Sequence, residues 1–558
     1  MKKFQKLIVV LGVLLLVALP TFAGGQKEAK PAGGKTATAG AGPVNNNPLS
    51  DVRVRQAIAY AIDMDKLAKT LFKGMVTPAE CLVPPGPFHA PGLNKYTYNP
   101  EKARALLKAA KWDSNRVLRL GYYYGDQLTV DFMTAIQAYL ADVGIKITFE
   151  RVTGDIVGRM FKPPADPEHG PSAIDFDLGY GANAALALQE YYGQFMKGRN
   201  AYTPWTPKIG KMLDALYSSV DIEKQKQAFY NIERWNNETV SVLPLYYQPM
   251  FIYENKRLNR NGGEYGNPQY NYDWGILKWT VPADSNGLHV LHTNGGPVEL
   301  FRLPLINPGL YIYNKVLYDR LLTCDGNLMP KGTSMAKSYK VSSDGLTFTT
   351  TLKDGLTWHD GSPITGEDVR FSIELAIRFP QLHAVFAKTF RSIKGAQDFM
   401  AGKTKHISGI TVNGNTITLH MAKVDPNILL TFSQFPILPK KYLKDADPLK
   451  LVQSPFWQHP IGSGPFKIKA VKMNDYLVMV PFKHYHGGVA KIDQIVCYPS
   501  DENDPNVVKN AAAGKLDYAF GKNTAEVQAI KNMSHMRVVR VNVPYTRMIW
   551  INQFPKKK

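Results

Sequence analysis

A mixed α/β architecture in two or three packed units follows from three features of the sequence. At 558 residues the chain is too long for a single hydrophobic core. Helix-like and strand-like segments alternate over residues 98–152. Beyond Trp279 the pattern shifts to short alternating strands with few helices, a β-rich second half. A content of 44% hydrophobic and 20% charged residues suits an ordinary globular protein.

The elements can be taken in order. From Asp51 to Leu71 apolar residues recur at helical spacing (Val54, Ala57, Ile58, Ala61, Ile62), which predicts a helix opening the folded region. Proline and glycine punctuate 77–94, a loop. Residues 98–112 read as a helix with Asn99 as cap and Pro100 in the first turn. A strand at 117–124, a helix over 129–144 closed by Gly144, and a strand at 145–152 follow. A helix is expected at 222–238 and one strand-like run at 240–254. In the second half strands are expected at 288–294, 346–353, 410–422, 464–472 and 476–482, with a hairpin turn at Asn413-Gly414-Asn415. Helices are expected at 365–378, where Thr365 and Asp368 have the form of a capping box, and near 504–513.

The amino-terminal segment is not a fold element. Lys2, Lys3 and Lys6 precede the apolar run LIVVLGVLLLVALP and the small-residue stretch TFAGG, the layout of a secretory signal peptide over 1–23 ending at Ala23. That run is short for a bilayer span, and no other segment qualifies. No cysteine follows it, so release without a lipid anchor is expected. Residues 24–45 are rich in Gly, Ala, Lys and Thr and read as a flexible linker. The formal charge of +21 is scattered, apart from Lys556, Lys557 and Lys558, and with a signal peptide it argues against nucleic acid as partner. Cys81, Cys324 and Cys497 are odd in number and far apart, as expected of buried thiols and not of a disulfide framework or metal site.

Two blocks carry a family resemblance: SMAKSYKVSSDGLTFTTTLKDGLTWHDGSPITGEDVRF at 334–371 and NPLSDVRVRQAIAYAIDMD at 47–65. Both resemble signatures of the extracytoplasmic solute-binding proteins of the oligopeptide/dipeptide/nickel type, which feed ABC transporters. The segments HPIGSGPFKIKAV (459–471), HYHGGVAKIDQIV (484–496) and RMIWINQF (547–554) resemble further family motifs. In the family the first block precedes the second, and here the order is inverted, so the chain resembles a circularly permuted member. The resemblance implies a two-lobed periplasmic-binding-protein fold (type II, cluster C-like) with an extra α/β domain. It places the second, ligand-closing lobe at 46–255, the first lobe with hinge strands at 256–325 and 458–555, and the additional domain at 326–457. The break between Pro555 and Asn46 would lie beside a lobe-crossing strand, leaving the segment near 250–256 to carry the hinge.

The resemblance also implies a monomeric protein that closes on a solute by hinge motion and hands it to a membrane permease, with no cofactor. IDFDLGYGANAALA (174–187) is similar to the family's cleft-lining segment, where peptide binders carry an acidic residue for the peptide amine. Here Asn183 stands at that position and Tyr180 at a tryptophan position, with Gly181 between them. Tyr246, Tyr247, Trp205, Trp550 and Asn552 complete the candidate ligand contacts, core packing being the alternative for the aromatics. His484 and His486 read as a solvated turn, not metal ligands. No G-x-S-x-G, H-E-x-x-H or phosphate loop is present, so no catalytic residue is assigned. Oligopeptides are the default solute, oligosaccharides the alternative, and a secreted carbohydrate-active enzyme the reading from a different class.

Overall fold

The computed structural model describes residues 45–268, 270, 275–295, 303–306, 312–472, 475–499 and 506–556. The segments expected to be a signal peptide and a linker, apart from Asn45, together with Lys557 and Lys558, lie outside the described residues. Helices start where the sequence supplies caps. The Asn99 side chain accepts from Lys102 N ahead of helix Pro100–Ala109, and Asp126 accepts from Thr129 N ahead of helix Gln127–Asp142. Gly144, at φ +88°, turns the chain out of the latter. The amide and hydroxyl of Thr365 both donate to the Asp368 carboxylate, at 2.9 and 3.1 Å, at the head of helix Gly366–Ile377. The helix expected over 51–71 is two, Val52–Ala61 and Met64–Thr70, because Ile62 is extended and Asp63 caps a fresh start.

Along the chain the strands are β1 (Thr77–Pro78), β2 (Val117–Tyr122), β3 (Lys146–Arg151), β4 (Leu178–Ala184), β5 (Val242–Tyr247), β6 (Met250–Asn255) and β7 (Val290–Gly295). They continue with β8 (Leu322–Cys324), β9 (Pro330–Thr333), β10 (Ala336–Val341), β11 (Thr347–Leu352), β12 (Ile410–Asn413) and β13 (Thr416–His420). The last are β14 (Phe466–Lys472), β15 (Tyr476–Pro481), β16 (Gln494–Pro499), β17 (Tyr518–Gly521), β18 (Met536–Val541) and β19 (Tyr545–Ile551). The 240–254 run is therefore two strands, parted at Gln248-Pro249, since proline removes a ladder donor.

These strands build a six-stranded sheet β1-β5-β19-β4-β2-β3, a seven-stranded sheet β14-β15-β16-β7-β17-β6-β18 and a four-stranded sheet β10-β11-β13-β12. In the first, β2 runs parallel to β3 and β4, while β19 lies antiparallel between β5 and β4, with Ile549 opposite Leu243 and Tyr180. The sequence reading put residues 545–551 with the first lobe and its hinge strands, at 256–325 and 458–555; the ladder pairs them with β4 and β5 of the sheet built by 46–247. The six-stranded sheet has its own cores, one running from Leu49 and Phe132 to Ile551 and one around Tyr202, Phe229 and Trp550. The seven- and four-stranded sheets share one continuous core from Leu291 through Phe348 and Phe432 to Ile495. The segment 326–457 is thus packed onto its neighbour through a common interior.

Two connections cross from one lobe to the other: Gln248-Pro249 between β5 and β6, and Asn542–Pro544 between β18 and β19. They run side by side, and Gln248 N donates to Tyr545 O at 2.9 Å. The sequence-based expectation that one covalent crossing is lost is therefore corrected: β19 crosses before the chain reaches Pro555, and both crossings are present. The two ends of the described chain meet inside the lobe of the six-stranded sheet. The Asn47 side-chain amide donates to the carbonyls of Asn552 and Phe554, both at 2.7 Å, and Asn45 donates to Gln553 O at 2.8 Å.

Candidate functional site

The carboxyl ends of parallel strands are where α/β sheets collect ligands. In the six-stranded sheet that edge faces the lobe crossings. There Tyr123 and Tyr124 leave β2, helix Gln127–Asp142 begins, β19 enters at Tyr545, and Gln248 passes between lobes. Tyr123 and Tyr124 are half-buried, and their hydroxyls stand 3.3 Å apart. Tyr124 Oη lies 3.3 Å from Tyr545 Oη, closing an aromatic row. Burial pushes the Tyr123 and Tyr124 phenols up, so both remain protonated donors at neutral pH. From the opposite lobe Phe520 packs with Met250, Val543 and Tyr545, and the Lys522 ammonium sits 4.7 Å from the Tyr545 ring.

Arg547 is the charged residue of this edge. Its guanidinium is buried, stacks 3.8 Å from the Tyr124 ring centre and 5.4 Å from that of Tyr545, and donates through Nε to Gln248 Oε1 at 2.8 Å. Its Nη1 has no hydrogen-bond partner, and no carboxylate among the described residues lies within ion-pairing distance. Nearby Asp126 is committed to Thr129, whose amide and hydroxyl it accepts at 3.0 and 2.9 Å.

The residues singled out from sequence are placed unevenly. Tyr180 and Tyr246 bond phenol to phenol at 2.9 Å inside the apolar core, against Phe132 at 5.5 and 5.7 Å. Tyr247 donates its hydroxyl to Cys81 O at 3.0 Å and fastens the loop after β1. Trp550 stacks on Tyr202 at 6.0 Å, meets Phe161 edge-on, and donates to Gln194 Oε1. Asn552 is wholly buried and donates to Ser172 Oγ and Phe176 O at 2.8 and 2.9 Å, which makes it a clamp on the chain. Trp205 lies at the surface of the lobe under the Lys197 ammonium. Gly181 is required by packing, since a Cβ there would stand 2.7 Å from Tyr123 Oη and Trp550. Asn183, half-buried and opposite Thr546, makes no side-chain hydrogen bond. It occupies the other face of the sheet from Arg547, as alternation requires.

Sequence reasoning missed Tyr123, Tyr124, Tyr545 and Arg547. The available signal was a lone arginine in the otherwise apolar strand YTRMIWI. His486 differs from expectation: its Nε2 lies 2.7 Å from the Asp319 carboxylate, while His484 is exposed. All three cysteines are buried thiols. Among the described residues no group of three or more His, Cys, Asp or Glu could hold a metal ion, and no helix is long and apolar enough to cross a membrane.

Comparison with known proteins gives partial but consistent matches. A putative ABC transporter peptide-binding protein of Brucella ovis is 28% identical over 194 residues, 35% of this chain and 34% of that protein. The oligopeptide-binding protein OppA of Lactococcus lactis is 29% identical over 217 residues, 38% of this chain and 36% of that protein. The chain thus spans little more than a third of the length of these relatives. Among solved structures, lactococcal OppA with an endogenous peptide in the closed conformation is 23% identical, with 44% of this chain and 48% of that one covered and a TM-score of 0.36. NikZ of Campylobacter jejuni with Ni(L-His) is 22% identical, with 41% of each chain covered and a TM-score of 0.33. The family model for bacterial extracellular solute-binding proteins, family 5, matches residues 26–218 and 333–557, and the chain belongs to that family.

Proposed function

We propose that the chain is a solute-binding protein that captures an oligopeptide between its two lobes and delivers it to the permease of an ABC transporter, without catalysis. Family membership supports the class, and the names of the Brucella and Lactococcus relatives support peptide as solute. The observation that carries the reading is the hinge. Two lobes, each with its own sheet and with cores that meet at Leu186 and Ala187, are joined by paired crossings, and an aromatic edge of Tyr123, Tyr124 and Tyr545 faces the junction. Such a junction closes on a ligand by bending a few residues. Tyr124, Tyr545, Arg547 and Asn183 are the proposed contacts.

Asn183 favours a second reading. With no countercharge for a peptide amine at that position, an oligosaccharide is a competing solute. A thermal-shift panel of di- to pentapeptides against cello- and manno-oligosaccharides separates the two, because a ligand stabilises according to its concentration over Kd. Peptides raising Tm support the first reading; a rise with sugars alone overturns it. Turnover of any ligand overturns the non-enzymatic reading.

We further propose that the two halves are in permuted order, with the ligand-closing lobe built from 46–247 and 545–555. The inverted motif order supports this, as do the meeting of Asn45 and Asn47 with residues 552–554 and the division of the family match into two stretches. Secretion through residues 1–23 and a monomeric state complete the proposal.

A further inference from the structure

We infer that Arg547 is a carboxylate-binding residue, and that the solute is held by its anionic end and not by an amine. The inference rests on the proposed solute-binding function and adds which charge the site reads.

A buried guanidinium without a counterion is unfavourable unless something pairs with it. Arg547 is 7% exposed, spends Nε on the neutral Gln248 side chain, and leaves Nη1 unpartnered at the edge where the lobes meet. Tyr124 and Tyr545 pack against the guanidinium through their rings, and what remains unpartnered is the buried in-plane donor Nη1, the geometry that grips a carboxylate once the lobes part to admit it. The surroundings favour an anion. The amino end of the 16-residue helix Gln127–Asp142 opens beside Tyr124. The Arg151 guanidinium lies over Gly125, so close that a Cβ there would meet it, and Lys522 approaches from the other lobe. The opposing charge is Asp126, already held by Thr129. No acidic side chain stands at position 183 to receive an amine. A short peptide carboxylate and an acidic sugar share the required chemistry.

Isothermal titration tests this with tetra-alanine, its N-acetylated and C-amidated forms, cellotetraose and tri-galacturonate. Each is measured against the unaltered protein, Arg547→Gln and Arg547→Lys. The expected result is that the carboxylate-bearing member of a pair binds at least about tenfold tighter than its neutral twin. N-acetylation should change affinity by less than about threefold. Arg547→Gln should erase the preference while Arg547→Lys keeps part of it, which separates lost charge from misfolding. Equal binding of amide and free acid, a preference that survives Arg547→Gln, loss of binding on N-acetylation, or no binding by any carboxylate-bearing probe each overturns the inference. Whether the peptide or the acidic sugar binds decides only the solute class; a neutral sugar bound equally by Arg547→Gln would overturn the inference and leave solute binding standing.

Discussion

Replacing Asn47 by alanine tests whether the two chain ends are held by a specific contact. The Asn47 amide donates to Asn552 O and Phe554 O at 2.7 Å each, and its Oδ1 accepts from Leu49 N at 3.1 Å. Asn47 and Asn552 are buried, so the substitution strands two carbonyls away from water and removes the cap of the turn Pro48–Ser50. Leaving each of the two buried neutral acceptors unsatisfied costs roughly 1–2 kcal/mol and losing a cap about 1 kcal/mol, so about 3–5 kcal/mol is expected in all. For a lobe of some 200 residues, 1 kcal/mol moves Tm by about 2–4 °C, which puts the transition of the lobe holding Asn47 about 6–20 °C lower. Asn45→Ala, which removes one part-buried bond, should shift it by no more than about 4 °C. Differential scanning calorimetry reads both. An Asn47→Ala transition within 1 °C of the unaltered protein would refute the idea that this amide fastens the ends.

Three further outcomes follow from buried groups. His359 donates Nε2 to Gly464 O and accepts Gly462 N at Nδ1, His383 Nδ1 accepts Val385 N, and burial pushes both imidazoles down to about 4. The unfolded chain therefore binds more protons between pH 6.5 and 4, so the lobe holding these histidines loses about 2 kcal/mol per histidine by pH 5, read as a falling Tm that His383→Asn makes shallower. Glu190, in the other lobe, is pushed up to about 7 by burial and has the opposite sign, stabilising that lobe as pH falls from 7 to 4.5. Glu233→Ala should cost about 3–5 kcal/mol in urea unfolding, because the carboxylate accepts Val83 N, Ala90 N and the Tyr192 hydroxyl; cleavage of the 79–91 loop by protease should rise with it. Gly181→Ala should cost about 1–3 kcal/mol by displacing Tyr123 or Trp550, and an unchanged Tm would show that both rings yield freely.

What the sequence made legible is local. Asn99 with Pro100, Thr365 with Asp368, and the Asn413-Gly414 turn each act within four residues, and each lies where the pattern puts it. The misplaced strand β19 shows the limit. Its partners Ala184 and Tyr247 lie some 300 residues or more from it in sequence, and a strand's own pattern does not name its neighbours. The candidate site fared likewise. Tyr180 and Tyr246 satisfy each other across 66 residues, so a tyrosine that looked available for ligand was already paired in the core. Arg547 went unread because its meaning depends on an absence, the missing carboxylate, which only three-dimensional placement reveals.

Under the proposed permuted order, the position of the break bears on whether the chain still works. Closure of a two-lobed protein needs its crossings intact and its lobes rigid, since the hinge residues alone absorb the dihedral change. Here both crossings, Gln248-Pro249 and Asn542–Pro544, remain covalent and hydrogen-bonded to each other. The proposed break instead falls inside one lobe, where Asn45, Asn47 and Ser172 hold residues 552–555 through side-chain amides and a backbone bond. Its consequence is therefore a matter of lobe stability and not of hinge mechanics. A variant weakened at Asn47 should melt earlier yet close on its ligand with the same change in small-angle scattering, whereas a variant altered at Pro249 should change that closure with little effect on melting.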